Sequence, residues 1–357
     1  MQRNNKLVSK IIYGRGTFNQ LDEIMKERRT DESSFIVYIV DEVFREKELF
    51  QRIALKDNDL LLWANVETEP KTIYIDELTN IVKNYNAQLP VGVIGMGGGS
   101  TMDIAKAVSL MLTNSGSAAD YQGWDLIKNP AVYHVGVPTL SGTGAEVSRT
   151  AVLTGPVKKL GINSDFTLFD QIILDPDLIS DAPDEQRFYT AMDCYVHCGE
   201  SLTGTFINEF ARAYSDKALT LLQEIFSGNI SREKADEKLM IASMFGGFSI
   251  AYSQVGVCHA LSYGLSYVLG YRHGIGNCIV FNSLDDYYDK YVDEFRQMLI
   301  RNNITLPSNI CRDISEEQME KMIDVSLVLE PLWENALGKN WKDKINRNKI
   351  KDLYLRM

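Results

Sequence analysis

The chain has 357 residues, more than one hydrophobic core usually holds, so its length predicts two domains. The net charge of −11 argues against nucleic-acid binding, because that affinity depends on Lys and Arg side chains that neutralise phosphates. No apolar run approaches the roughly 18 residues that a membrane span needs. The N-terminus also lacks the pattern of a secretory signal, so we expect a cytoplasmic protein without a membrane partner.

The predicted elements change in character near residue 184. Apolar, β-branched runs predict strands at 34–40, 91–96, 131–137 and 171–174. Helical spacing of apolar residues predicts helices at 72–85 and 103–112, between those strands. This alternation indicates a mostly parallel sheet. Helical patterns dominate the rest, for example at 206–226 and 234–252. We therefore expect an α/β domain over residues 1–183 and an all-α domain over residues 184–357.

Residues 95–103 form a glycine-rich link between a predicted strand and a predicted helix. Backbone N–H groups at such a helix start can hold a phosphate, and glycine permits the close approach. The pattern is not G-x-G-x-x-G, because Ser100 takes the sixth position. The glycines alone leave pyrophosphate binding and an ordinary tight turn equally open. A ribose-binding acid would be Asp41, which ends the first predicted strand, or Asp120, about 20 residues after the loop.

The histidines are few and suggest a metal site. The chain has four of them: His134, His197, His259 and His273. Asp193 and His197 lie four residues apart in a helical pattern, which places them on one helix face. Gly264 and Gly270 interrupt the segment between His259 and His273, and we expect His273 in a turn before the next helix. One carboxylate and three imidazoles suit Fe(II) or Zn(II). A lone histidine is more often structural, and His134, in an apolar strand, is predicted to be one.

Four motifs in register resemble the iron-containing (group III) alcohol dehydrogenase family. They occupy residues 97–106, 138–146, 193–197 and 259–274, and the resemblance covers nearly the whole chain. It implies the fold shared with dehydroquinate synthase, an N-terminal dinucleotide-binding α/β domain and an all-α C-terminal domain with the active site between them. The metal ligands that it implies are Asp193, His197, His259 and His273.

The same resemblance implies which residues contact the cofactor. They are Gly98, Gly99 and Ser100 of the loop, Asp103 on the helix that follows, and Thr139, Ser141, Thr143, Lys159 and Leu178. The resemblance assigns the ribose to Asp41 rather than to Asp120. An acid there repels a 2′-phosphate, so we expect NAD rather than NADP. The chemistry implied is Lewis-acid activation of an alcohol by the metal and hydride transfer to nicotinamide.

Further stretches resemble one branch of this family, which oxidises the C8 alcohol of 3-deoxy-D-manno-octulosonate, an eight-carbon sugar acid of modified lipopolysaccharide. They are residues 121–128, 163–170, 253–259, 266–270 and 274–278. The branch implies a homodimer and functional coupling to a PLP-dependent aminotransferase. Arg149 and Arg272 are candidate partners of the substrate carboxylate, and for each the alternative is a solvated or ion-paired arginine.

Tyr263 departs from the family pattern, because many members have a histidine there, four residues after the residue matching His259. A tyrosine hydroxyl can donate or accept, so Tyr263 is a candidate substrate contact, and metal binding should survive. Three alternatives stay open. They are a dehydrogenase of a neutral alcohol or polyol, a dehydroquinate-synthase-type lyase and a non-catalytic NAD-binding regulator. The lyase would need a cluster of basic residues for phosphate, which the sequence does not show.

Overall fold

The computed structural model describes residues 6–357, and the chain divides into two compact units. Within the described residues, the first unit comprises residues 6–141 and Ala145–Ala182. The second unit comprises Gly142–Gly144 and Pro183–Met357. Each unit has its own secondary-structure type, a sheet with helices in the first and helices in the second.

A six-stranded sheet of order β1-β9-β6-β4-β2-β3 forms the centre of the first unit, and all its neighbouring strands are parallel. The strands of the unit are β1 (Lys10–Tyr13), β2 (Ile36–Asp41), β3 (Leu60–Ala64), β4 (Gly92–Gly97), β5 (Gly123–Trp124), β6 (His134–Pro138), β7 (Thr150–Thr154), β8 (Lys159–Asn163) and β9 (Gln171–Leu174). The inner strands β4, β6 and β9 are buried along their whole length, which explains their continuous apolar runs.

The helices of the first unit are α1 (Leu21–Lys26), α2 (Glu48–Gln51), α3 (Thr72–Tyr85) and α4 (Gly99–Met111). Helix α3 has the predicted bounds and buries Ile75, Leu78 and Val82. Helix α4 starts at Gly99, four residues before the predicted start, because the glycine loop leads directly into it. An added Cβ at Gly95 would lie 2.5 Å from the Cβ of Ala105, so a glycine in β4 is what lets α4 pack this closely.

A second, three-stranded sheet of order β5-β8-β7 was not predicted from the sequence. Strands β7 and β8 pair antiparallel, and β5 pairs parallel with β8. The Gln122 side-chain amide donates hydrogen bonds to the carbonyls of Leu153 and Leu160, 2.8 Å each, and so ties the segment before β5 to both other strands.

In the described residues of the second unit, helices are the regular secondary structure, and loops connect them. Its helices are α5 (Asp184–Thr203), α6 (Glu209–Phe226), α7 (Arg232–Tyr252), α8 (Val257–Leu269), α9 (His273–Phe281), α10 (Asp285–Arg301), α11 (Glu316–Leu327), α12 (Glu330–Leu337) and α13 (Arg347–Tyr354). Helix α6 starts three residues after the predicted 206 because Asn208 caps it, accepting from the N–H groups of Phe210 and Ala211. The predicted fold class, a parallel α/β domain followed by an all-α domain, is confirmed.

Within residues 6–357, no single helix is both long enough and apolar enough to cross a membrane. Helices α7 and α8 pass that test only together, as a pair bent by 106°.

Candidate functional site

Helix α5 places Asp193 and His197 in the interior of the second unit. Pro183 precedes the helix, Asp184 and Glu185 occupy its first turn, and it runs unbroken to Thr203. Acidic residues in the first turn suit the positive end of the helix dipole. Asp193 is 1% exposed, and its Oδ1 lies 3.4 Å from Nε2 of His197, one turn later. The i, i+4 spacing therefore brings the two groups together, as the sequence predicts.

Helices α8 and α9 bring two further histidines to Asp193. His259 lies in the first turn of α8, and His273 is the first residue of α9. Two expectations about this segment were wrong. Gly264 lies inside α8 rather than interrupting it, and His273 begins a helix rather than preceding one. Of the two glycines, Gly270 alone interrupts the helix. It follows the last residue of α8 and has a φ of 75°, a conformation that favours glycine.

The spacing of these side chains fits a bound metal ion. Asp193 Oδ1 lies 3.4 Å from His259 Nε2 and 3.6 Å from His273 Nε2. Donors that share one cation at about 2.1 Å are themselves about 3.4 Å apart. Asp193, His197 and His259 form the tightest group, with one ligand atom from each within 4.8 Å of the others. Asp193 Oδ2 is buried without a hydrogen-bond partner, as expected for a carboxylate oxygen that would contact a bound ion.

The charges of Asp193 and His197 suit a cation, whereas His259 would release a proton on binding one. Burial acts to raise the pKa of Asp193, but the neighbouring histidines lower it by more. The net pKa is well below the ordinary value, so the carboxylate is charged. Burial lowers the pKa of His197 to about 4 and leaves its imidazole neutral, the form that ligates metals. Burial also acts to lower the pKa of His259, but Glu200 and Asp193 together raise it to about 9. In the metal-free protein, that ring carries the positive charge that two carboxylates attract.

Glu200 orients His259, and sequence reasoning missed it. Its Oε2 lies 2.5 Å from His259 Nδ1, which leaves Nε2 to face Asp193. Its Oε1 accepts from the N–H of Cys258 at 2.7 Å and from the Tyr288 hydroxyl at 3.1 Å. Carboxylates that bind the second nitrogen of a ligating histidine fix its tautomer. A signal was present, because Glu200 is seven residues after Asp193 and so lies on the same face of α5.

Asn277 is the second residue that was missed. It is fully buried on α9, one turn after His273. Its Nδ2 donates to Asp193 Oδ1 at 2.6 Å and lies 3.2 Å from Nε2 of both His259 and His273. Its Oδ1 has no hydrogen-bond partner. The i, i+4 relation to His273 was the available signal, but an asparagine on an apolar helix has many ordinary explanations.

The predicted cofactor residues begin at one edge of the parallel sheet. Strand β4 pairs with both β2 and β6, and the three strands end at Asp41, Gly97 and Pro138. The Thr139 N–H donates to the Gly97 carbonyl at 2.8 Å, which joins two of these ends. Dinucleotides bind at such carboxyl edges of parallel sheets. Gly98 caps α4 without a side chain, and the first turn holds no acidic residue, so this helix start suits a phosphate.

Asp103 makes contacts other than the predicted one to the cofactor. Its Oδ2 accepts from the Val152 N–H at 3.0 Å, and its Oδ1 lies 3.9 Å from Nζ of Lys106. Lys106 is fully buried and donates to the carbonyls of Ser148 and Thr150, 3.0 Å each, and to that of Ala145. Burial raises the pKa of Asp103 to about 7 and lowers that of Lys106 to about 8, and each opposes the other's shift. This pair holds α4 against β7 and the segment before it.

The remaining predicted cofactor residues differ in their surroundings. Ser141 is buried, and its hydroxyl has no hydrogen-bond partner. Thr143 belongs to the second unit, with Gly142 and Gly144. Lys159 begins β8, and its Nζ lies 3.3 Å from Glu69 with the side chain 1% exposed. Leu178 packs in the hydrophobic core of the first unit. Cofactor contacts at these positions stay predictions.

The three candidate substrate residues differ in their contacts. Arg149 forms ion pairs with Asp125 at 2.5 Å and Asp165 at 3.1 Å, the ion-paired alternative raised by the sequence. Arg272 is exposed and directly precedes His273; its guanidinium has no hydrogen bond or ion pair with any residue in the described part of the chain. The Tyr263 ring stands edge-on to the His259 and His273 rings, at centroid distances of 6.4 and 5.9 Å.

His134 is the core histidine that the sequence predicts. It is buried in β6, and its Nδ1 lies 3.1 Å from Asp170 Oδ2. Although burial raises the pKa of Asp170, the hydrogen bond from His134 lowers it below its ordinary value overall.

Comparisons with known proteins agree with this architecture. The model of the iron-containing alcohol dehydrogenase family matches residues 8–176, and that of the family's C-terminal domain matches residues 187–330. The parallel sheet, the helical unit and the buried Asp–His group define a metal-dependent alcohol oxidoreductase. The chain belongs to the iron-containing alcohol dehydrogenase family.

Individual relatives are distant. The sulfoacetaldehyde reductase of Bilophila wadsworthia is 28% identical over 276 residues, covering 75% of this chain and 70% of the relative. The 4-hydroxybutyrate dehydrogenase of Clostridium kluyveri is 30% identical over 221 residues, covering 60% and 59%. The crystal structure of sulfoacetaldehyde reductase from Bifidobacterium kashiwanohense in complex with NAD+ has a TM-score of 0.82 at 20% identity, covering 99% of this chain and 98% of that one.

Proposed function

We propose that this enzyme oxidises the terminal C8 primary alcohol of 3-deoxy-D-manno-octulosonate to the aldehyde, with NAD as hydride acceptor and Fe(II) or Zn(II) held by Asp193, His197, His259 and His273. The observation that carries the metal-dependent part is the spacing of 3.4–3.6 Å between Asp193 Oδ1 and the three imidazole nitrogens. When bound, the metal supplies Lewis acidity to the substrate hydroxyl.

The residues around the metal have separate tasks. Asp193 offers a full negative charge inside the unit. Glu200 holds the His259 ring so that Nε2 faces Asp193. Tyr263 borders two of the ligand rings edge-on, and its phenol is a candidate donor or acceptor for substrate hydroxyl groups. Together they supply orientation, which is the part of catalysis that a protein adds to the chemistry of its cofactors.

NAD as acceptor is supported by the sheet edge formed by the ends of β2, β4 and β6. The uncapped start of α4 suits the pyrophosphate, and Asp41 stands at the end of the neighbouring strand, where a ribose-binding acid is expected. Because a carboxylate there repels a 2′-phosphate, NADP is the less favoured cofactor. The fold neighbour from Bifidobacterium kashiwanohense was solved with NAD+.

An acidic substrate is supported by Arg272 and by the relatives. Both sequence relatives described above are named for anionic substrates, sulfoacetaldehyde and 4-hydroxybutyrate. Arg272 adjoins His273 and has no carboxylate partner among residues 6–357, so it can pair with a substrate carboxylate. A second candidate, a neutral alcohol or polyol, is favoured by Arg149, because both its ion pairs already neutralise that side chain.

The test is an anaerobic assay with Fe(II) or Zn(II), NAD or NADP, and a panel of alcohols. We expect NADH and an aldehyde from the eight-carbon sugar acid, and slower turnover of 1,3-propanediol and other neutral alcohols. Equal kcat/KM for acidic and neutral substrates would contradict the sugar-acid assignment. No turnover of any alcohol by the metal-loaded enzyme with either cofactor would contradict the whole proposal.

A variant pair tests the carboxylate partner. Replacing Arg272 with alanine should raise KM for the sugar acid by about 10- to 100-fold, the value of a charged hydrogen bond, and leave neutral substrates unchanged. Arg301→Ala, at the end of α10, is the control for loss of an exposed arginine. The homodimer, the cytoplasmic location and the coupling to an aminotransferase that consumes the aldehyde belong to the same proposal. Light scattering tests the first of these.

A further inference from the structure

The side-chain amide of Asn277 occupies the position of a metal-site residue. Its Nδ2 stands 2.6 Å from Asp193 Oδ1 and 3.2 Å from the Nε2 atoms of His259 and His273. These separations resemble those between the donors themselves, 3.4 and 3.6 Å. One atom of the Asn277 amide therefore lies against the same atoms that a cation would bind.

The orientation of the amide suits the metal-free protein and not the metal-bound one. The NH₂ group donates to the charged carboxylate of Asp193 at 2.6 Å, a contact that needs no bound cation. The Asn277 Oδ1 is meanwhile buried with no donor. A cation that takes the lone pairs of Asp193, His259 and His273 would meet the positive end of the amide dipole. A half-turn about the Cβ–Cγ bond replaces that nitrogen with an oxygen of nearly the same size, so the packing is unchanged.

We propose that Asn277 turns its Oδ1 toward the bound cation and serves as a fifth protein donor beside Asp193, His197, His259 and His273. A neutral oxygen donor adds no charge and raises the coordination number above the four that structural Zn(II) sites prefer. Carbonyl oxygens suit harder ions that accept five or six ligands. Asn277, one turn after His273, thus biases the site toward Fe(II) and has a role in metal selection.

This inference rests on the proposed metal assignment, and the experiment separates the two. Metal-free protein is titrated anaerobically with Co(II), whose visible absorption is intense with four ligands and weak with five or six. A competing chelator gives the affinity in the same titration. The variants are Asn277→Ala, which removes the donor, and Asn277→Asp, which keeps an oxygen in the same shape. Asn335→Ala is the matched control, because Asn335 is equally buried but bonds the backbone of Gln254 and Phe206 instead.

We expect weak absorption from the parent protein and from Asn277→Asp, and intense absorption with about tenfold weaker Co(II) binding from Asn277→Ala. Competition between Fe(II) and Zn(II) should shift toward Zn(II) in Asn277→Ala alone. An Asn277→Ala spectrum identical to that of the parent overturns the fifth-donor assignment, even if affinity falls. If Asn277→Ala does not fold, intense absorption from Asn277→Asp overturns that assignment as well, and weak absorption supports it. Undiminished Co(II) binding by Asp193→Ala would instead overturn the metal assignment of the proposed function.

Discussion

Replacing Glu200 with glutamine should weaken metal binding without unfolding the protein. Both carboxylate oxygens of Glu200 accept hydrogen bonds, Oε2 from His259 Nδ1 and Oε1 from the Cys258 N–H and the Tyr288 hydroxyl. A glutamine has one accepting oxygen in place of two. Whichever way its amide turns, an NH₂ group faces a donor, either at His259 or at the first turn of α8. One side of this network must therefore be lost.

The size of the effect follows from the network. A hydrogen bond to a charged group contributes about 1.5–3 kcal/mol. Loss of a residue that orients a metal ligand typically lowers metal affinity by about 10- to 100-fold, which corresponds to about 1.4–2.7 kcal/mol. The two values agree, so we expect the dissociation constant for Zn(II) or Co(II) to rise by about 30-fold.

The assay is chelator competition with Glu200→Gln beside Glu294→Gln. Glu294 is a matched control, because it too accepts from a residue of α5, the Tyr195 hydroxyl at 2.5 Å, but it bonds that tyrosine rather than a predicted metal ligand. Thermal melts of both metal-free variants measure the structural cost alone. Metal affinity of Glu200→Gln within twofold of the parent would refute the reasoning. An equal loss in Glu294→Gln would show that the effect is not specific to His259.

The remaining predictions concern the metal and the first unit. His259→Ala should lose metal and turnover together, and full activity of this variant in chelator-treated buffer would contradict the assignment. Chelation should lower the melting temperature, because a ligand at 100 times its dissociation constant stabilises by about 2.7 kcal/mol; an unchanged melt after verified metal loss would count against it. Lys106→Met leaves Asp103 without its buried partner and should cost about 3 kcal/mol of unfolding free energy in urea titrations. A cost below about 1 kcal/mol would show that the carbonyl contacts of Lys106 contribute little.

The fold could be predicted because its signals are local. Helical spacing of apolar residues predicted both ends of α3 correctly, and an apolar run predicted β9 correctly at Gln171–Leu174. The missed sheet of β5, β8 and β7 has no such signal. Strand β5 contains two residues, and the burial of β7 alternates over five residues only. Its stability comes from long-range bonds such as those of Gln122, which no window of sequence contains.

Some residues of the candidate site could be predicted from the sequence, and others could not. Asp193 and His197 follow from helix periodicity alone, since one turn separates them. His259 and His273 were candidates from the histidine count, but only the family resemblance joined them to Asp193, because no local pattern shows that α8 and α9 meet α5. Glu200 and Asn277 were missed although each sits at a helical spacing from a predicted ligand. A periodic position shows that side chains share a face, but it does not show that the face is polar and dry.

The two buried carboxylates explain why a histidine lies between them at this site. Asp193 and Glu200 are both about 1% exposed, and two charges this deep are tolerated only with partners. In the metal-free protein, His259 lies between them and bonds Glu200 through Nδ1 while Nε2 faces Asp193. A divalent cation bound at the proposed site would replace one of these two pairings, the one with Asp193, and would leave the other intact. Glu200 can therefore hold the ring in the same place with and without metal, so the site is preorganised before the ion arrives.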